Sequence, residues 1–116
     1  MHFKLIIAFV NEDKTDPIMT AAREAGATGA TVVGDARGEG LKPRKTFFGL
    51  TLEIQRDMLL FIVEEHLSRK ILERVAEVGE FDTNPSCGVA FQLDIEDIIG
   101  MKSQIATLIG EVEEQL

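Results

Sequence analysis

The chain has 116 residues, 45% of them apolar and 28% charged, which allows one globular domain and excludes both disorder and a second core. A net charge of −8 excludes a nucleic-acid binder, which needs a basic face to neutralise phosphates. A single cysteine, Cys87, excludes an internal disulfide; one free thiol suits a reducing compartment and predicts a cytoplasmic protein.

The first predicted element is a buried strand, Phe3–Val10, nearly continuous in apolar residues. It lacks the cleavage site of a leader and is far shorter than the ~18 apolar residues of a membrane span. Asp16-Pro17 then reads as a helix start, with aspartate as N-cap and proline at the first helical position. Ile18, Ala21, Ala22 and Ala25 share one face of that helix, which Gly26 ends. A second strand is predicted over Thr28–Asp35. A basic loop follows, broken by Gly34, Gly38, Gly40 and Pro43.

Phe47–Ile54 alternates, with Phe48, Leu50, Leu52 and Ile54 on one side. Arg56-Asp57 interrupts the pattern, and Met58–Val63 reads as a fully buried strand. The two runs are one bulged strand or two short ones. The next helix spans about Leu67–Val78, with Leu67, Ile71, Leu72, Val75 and Val78 as its stripe and Gly79 as its C′ residue. Glu80–Ser86 is a polar loop and Gly88–Leu93 a strand. A last helix is predicted over about Lys102–Gln115, with Ile105, Leu108, Ile109 and Val112 at helical spacing. The order β-α-β, β-α-β predicts an α+β, ferredoxin-like βαββαβ sandwich. Residues 3–102 form its core and residues 103–116 an added C-terminal helix. A sheet this small has an open face and edges, which oligomerisation usually covers.

Few residues carry chemistry. His2 and His66 have no second histidine at metal-ligand spacing and Cys87 has no cysteine partner, so no metal site is expected within one chain. The carboxylates Glu64 and Glu65 precede a helix, where capping and the macrodipole account for them. The distinctive stretch is Gly34–Lys45. Arg37, Lys42, Arg44 and Lys45 against Glu39 alone leave +3 over residues 37–45 on a chain of −8. Such a patch suits a small anion or an acidic partner surface, or is a solvated basic turn. Its glycines let backbone amides approach phosphate oxygens, but no Gly-Lys-Ser/Thr closes the loop and no G-x-G-x-x-G opens a helix.

Gly29-Ala30-Thr31-Val32, followed by Gly38 and Gly40, resembles the second strand and loop of the nitrogen regulatory P-II signalling family. Val78-Gly79-Glu80-Phe81 and Gly88-Val89-Ala90-Phe91 resemble its second nucleotide-facing loop and last core strand. The similarity covers roughly residues 3–102. It implies a non-catalytic homotrimer with an adenine nucleotide (AMP, ADP or ATP) or another small anion in the clefts between subunits, and no other cofactor. By position, Gly29, Ala30 and Thr31 would face the adenine. Arg37, Gly38 and Gly40 would lie near the phosphates, with Gly88 and Lys102. The loop, with Lys42, Arg44, Lys45 and Thr46, would dock onto a target enzyme or membrane transporter. The chain departs from the family pattern: its protruding loop is short, about Leu41–Phe48, and its loop Phe81–Gly88 is longer, with Asn84-Pro85. The chain has no tyrosine, Val89 replaces an expected lysine, and Gly100 replaces one of two expected arginines, with Lys102 at the other. A trimeric metal-binding protein of the CutA type, or a small ferredoxin-like enzyme using Cys87 or a carboxylate, is the alternative reading.

Overall fold

The structure, a computed structural model, describes residues 1–36, 46, 47, 50, 51, 56–83, 88–101 and 109. The elements run β1 (Phe3–Asn11), α1 (Glu12–Glu24), β2 (Ala30–Ala36), β3 (Thr46–Phe47), β4 (Leu50–Thr51), β5 (Arg56–Glu64), α2 (Glu65–Gly79) and β6 (Gly88–Ile95). Four strands form an antiparallel sheet in the order β2-β5-β1-β6, while among the described residues β3 and β4 pair with each other. This is the expected ferredoxin-like α+β sandwich. Both helices lie on one face of the sheet.

The alternation of each strand divides its side chains between two faces. Ile6, Ala8 and Val10 of β1 and Leu59, Phe61 and Val63 of β5 are buried with Ile18 and Ala22 of α1 and Leu67, Ile71 and Val75 of α2. On the opposite face Leu5, Ile7, Phe9, Met58, Leu60, Val89 and Phe91 are only half-buried, and Ile62, Leu93 and Val33 are exposed. Met58–Val63 is therefore not buried on both sides, contrary to its continuous apolar run. The layer that would cover the second face is not supplied by the described residues.

Several sequence expectations are corrected. The first helix begins a turn before Asp16, with Asn11 as N-cap, and Pro17 lies inside it. An interior proline forfeits one backbone bond. Tertiary ties hold that turn regardless. Asn11 Oδ1 accepts from Arg56 Nη1, Thr15 Oγ1 donates to Asp57 Oδ2 at 2.6 Å, and Glu12 and Asp13 suit the helix N-terminus. Arg56 and Asp57 do not interrupt β5 but open it, opposite Asn11 and Val10. Thr46 pairs with Thr51 and Phe47 with Leu50, so the chain reverses inside the alternating run Phe47–Ile54 rather than continuing as one strand.

At the end of α2, Gly79 is the last helical residue, not the left-handed one. That conformation falls on Glu80, at φ 58°. Packing explains the glycine: a Cβ on Gly79 would lie 2.3 Å from Phe81 Cε1. The second strand starts at Ala30 and the last extends to Ile95. Of the expected C-terminal helix, only Ile109 is described, and it is helical.

Candidate functional site

The Gly29-Ala30-Thr31 segment leads into edge strand β2. Gly29 is exposed, and a Cβ there would meet nothing within 4 Å. Gly29 and Ala30 border a recess of about 40 Å³ with Met19, Arg23, Ala27 and Phe61. Thr31 pairs with Leu60 and is exposed on the uncovered face of the sheet.

Gly88 opens the opposite edge strand, paired with Val10. A Cβ there would lie 2.5 Å from Phe81 Cε1 and 2.6 Å from the Phe9 carbonyl oxygen. The Phe81 ring is thus wedged between the last residue of α2 and the first of β6, with a glycine on each side. Lys14 of α1 donates to Glu80 Oε2 at 2.8 Å and anchors the intervening turn. That bond and the ammonium charge hold the Glu80 carboxyl below its ordinary value of 4.5.

Strands β2 and β6 are separated by β5 and β1. Thr31 lies in line with Phe91, so three strand spacings of about 4.8 Å across the sheet and three residues of about 3.3 Å along β6 put Thr31 and Gly88 roughly 17 Å apart within one chain. The structure therefore places the two groups of expected binding residues on opposite edges and does not bring them together. Arg37, Gly38, Gly40, Lys42, Arg44, Lys45 and Lys102 lie outside the described residues; Thr46 is in β3.

The end of the sheet from which residues 37–45 depart carries a polar group that the sequence reading passed over. Arg56 is 5% exposed and bonded to Asn11; the adjoining Asp57 accepts from Thr15, and Arg56 pairs across to Ala36, the last residue of β2. Its signal was an adjacent cation and carboxylate heading an otherwise apolar strand. The departure at Gly100 also has a backbone correlate: φ is +100°, a region L side chains rarely adopt. An arginine there would be strained.

Among the described residues, Glu64, Glu65 and His66 are the group of ligand-type atoms within 4.8 Å of one another. Buried Glu64 is the N-cap of α2. Its Oε2 accepts from the His66 backbone N–H at 2.7 Å, and its Oε1 lies 2.6 Å from His66 Nδ1. Helix capping, as expected from the sequence, accounts for the arrangement. No helix among the described residues is long and apolar enough to cross a membrane.

The family described as nitrogen regulatory protein P-II matches residues 3–104. No curated protein matches the chain in sequence. Among solved structures, a PII-like signalling protein of Thermus thermophilus is 24% identical, with a TM-score of 0.60 over 82% of this chain and 87% of that one. A nitrogen regulatory PII-like protein of Thiomonas intermedia, CPII, bound to ADP, AMP and bicarbonate, is 21% identical, with a TM-score of 0.63 over 86% and 97% of the two chains. The same protein bound to ADP, AMP and acetate gives 22% and 0.62 over 81% and 86%. At these identities the likeness is one of fold.

Proposed function

We propose a nucleotide-responsive signalling role for this chain, which belongs to the nitrogen regulatory protein P-II family. In this reading a cytoplasmic homotrimer, one domain per chain, binds AMP, ADP or ATP in clefts between subunits. It regulates a partner enzyme or transporter through residues 37–48 and performs no catalysis.

The observation that carries the reading is the separation of Gly29-Ala30-Thr31 from Gly88 onto opposite edges of one sheet. Two copies meeting edge to edge would bring both groups onto one ligand, which supports a site between subunits. The uncovered apolar face, including Leu5, Ile7, Leu60, Ile62, Phe91 and Leu93, supplies the surface on which copies would associate. Arg37 and Lys102 would supply charge-assisted bonds to the phosphates, worth about 1.5–3 kcal/mol each. Thr31, Gly29 and Ala30 would sit against the base, and Gly38, Gly40 and Gly88 would bring backbone amides close to the phosphates. The nucleotide-bound state of the Thiomonas protein supports the ligand class.

The test is thermal unfolding with AMP, ADP, ATP and inorganic phosphate, run beside sedimentation. A nucleotide at a hundred times its Kd is expected to stabilise the folded assembly by about 2.7 kcal/mol. Arg37→Ala should abolish most of that response without changing the unliganded melting temperature. A trimer unresponsive to every nucleotide, or a monomer, would sink the reading.

A further inference from the structure

Beyond the nucleotide reading, a groove on the helix side of the molecule calls for an occupant. It encloses about 580 Å³ between the flank of α2 that faces β6 and the turn after α2. Among the described residues its apolar lining is Leu72, Ala76 and Ala90, which are also partly buried against the main core. Three of the four carboxylates among its described lining residues are in ion pairs. Glu73 pairs with Arg69, Glu77 with Arg74 and Glu80 with Lys14, each at 2.8 Å. A cationic ligand would gain little there. What the groove offers is apolar surface edged by mostly paired charge.

The path of the chain indicates what fills it. Strand β6 runs from Gly88, opposite Val10, to Ile95, opposite Phe3, and Phe3 also pairs with Glu64, the N-cap of α2. At Ile95 the chain is therefore at the foot of α2. It then folds back onto the core: Ile98 packs against it and Met101 is 9% exposed within it. Residues 102–116 start from that anchored point. As a helix they would reach about 22 Å, more than the roughly 16 Å of α2 from Arg69 to Glu80. Their sequence carries one apolar stripe, Ile105, Leu108, Ile109 and Val112. Ile109 is helical and 45% exposed, so its side chain has apolar area left to bury.

We propose that residues 102–116 dock as a third helix into the α2/β6 groove of their own chain, stripe inward, running parallel to α2. The occupant would cover the helix-side face of edge strand β6. Buried Gln92 Oε1 on the same face of β6 has no hydrogen-bond partner among the described residues, and a docked segment would bring donors to it.

The test is disulfide trapping in the full-length chain with Cys87→Ser. Ala76→Cys is combined in turn with Leu108→Cys or Val112→Cys on the stripe, and with Thr107→Cys or Glu114→Cys on the opposite face. Mild oxidation, read by intact mass and non-reducing gels, should close an intrachain disulfide in at least one stripe pair and in neither control. This requires Cβ atoms about 3.5–4.5 Å apart. Exclusively interchain links would mean that the tail occupies a second copy, and an absence of stripe links would mean that another molecule or solvent fills the groove. Either result overturns the proposal. A second measurement uses Leu108→Glu with Val112→Glu. Hydrogen exchange of α2 amides in residues 69–80 should accelerate at least tenfold while α1 amides are unchanged. No acceleration in α2, or an equal one in α1, overturns it as well. Nucleotide response is measured in the same variants, so failure of the docking and failure of the nucleotide reading are separable.

Discussion

Replacing Gly79 by alanine tests whether the Phe81 wedge, rather than backbone freedom, requires a glycine at the end of α2. Gly79 has no positive φ, so alanine fits the backbone and should gain up to about 1 kcal/mol of helix propensity. Against that gain, the new methyl would lie 2.3 Å from Phe81 Cε1, 2.8 Å from Cδ1 and 3.0 Å from Cζ. Overpacking of this kind costs about 1–3 kcal/mol. The ring has little room to retreat, because Gly88 also lies against it, so close that a Cβ there would be 2.5 Å from the same Cε1. Gly79→Ala should therefore be neutral to destabilising by about 2 kcal/mol in the native background. Phe81→Ala alone should cost about 3–5 kcal/mol, as truncation of a buried aromatic does. Once the ring is gone the sign should reverse, and adding Gly79→Ala should stabilise by about 0.5–1 kcal/mol. Urea denaturation followed by circular dichroism on the four proteins of the cycle measures this coupling. If Gly79→Ala had the same effect with and without the ring, the packing argument would be wrong.

Three further expectations follow from single contacts. Thr15→Val removes the 2.6 Å bond to the Asp57 carboxylate and should destabilise by about 1.5–3 kcal/mol in the same assay; a loss below about 0.5 kcal/mol would mean that the bond does not hold the early turn of α1. Glu80 and Asp94 are held below their ordinary values of 4.5 and 3.8 by Lys14 and Lys4, through bonding first and charge second. Their folded values being lowered, the stabilisation is complete above the ordinary values and is lost as pH falls through the lowered ones. Lys14→Met should therefore weaken the protein at neutral pH and converge with the parent in acid. A constant difference at every pH would refute the linkage. Ile62→Glu puts a charge on the uncovered sheet face at a residue 37% exposed within one chain. It should convert the proposed trimer to monomers in sedimentation while leaving the monomer folded.

The order of elements was legible because each carries its own period. The apolar runs of β1 and β5, the stripe from Leu67 to Val75 and the punctuation at Gly26 are local signals. They survive folding because the core uses the same residues. The misread boundaries lie where long-range contacts outweigh local preference. Pro17 looks like a helix start until Arg56 and Asp57, some forty residues on, engage Asn11 and Thr15. Gly79 looks like a left-handed cap until Phe81 claims its space. The Gly29-Ala30-Thr31 signature was readable as a family resemblance, whereas the polar group around Arg56 was not. A charged pair in a strand sequence does not announce which end of the sheet it seals.

Period, charge and composition by themselves determined a ferredoxin-like domain with a basic glycine-punctuated segment after its second strand, and the residues around Gly29 and Gly88 gave it a P-II likeness. Tertiary structure decided which apolar face is left uncovered and that Thr31 and Gly88 stand on opposite edges of one sheet. It also decided that the glycine before Phe81 and the one at the start of β6 serve the same ring. The reason is that strand order and the meeting of α2 with β6 are set by contacts between residues far apart in sequence. No local pattern encodes the distance between them.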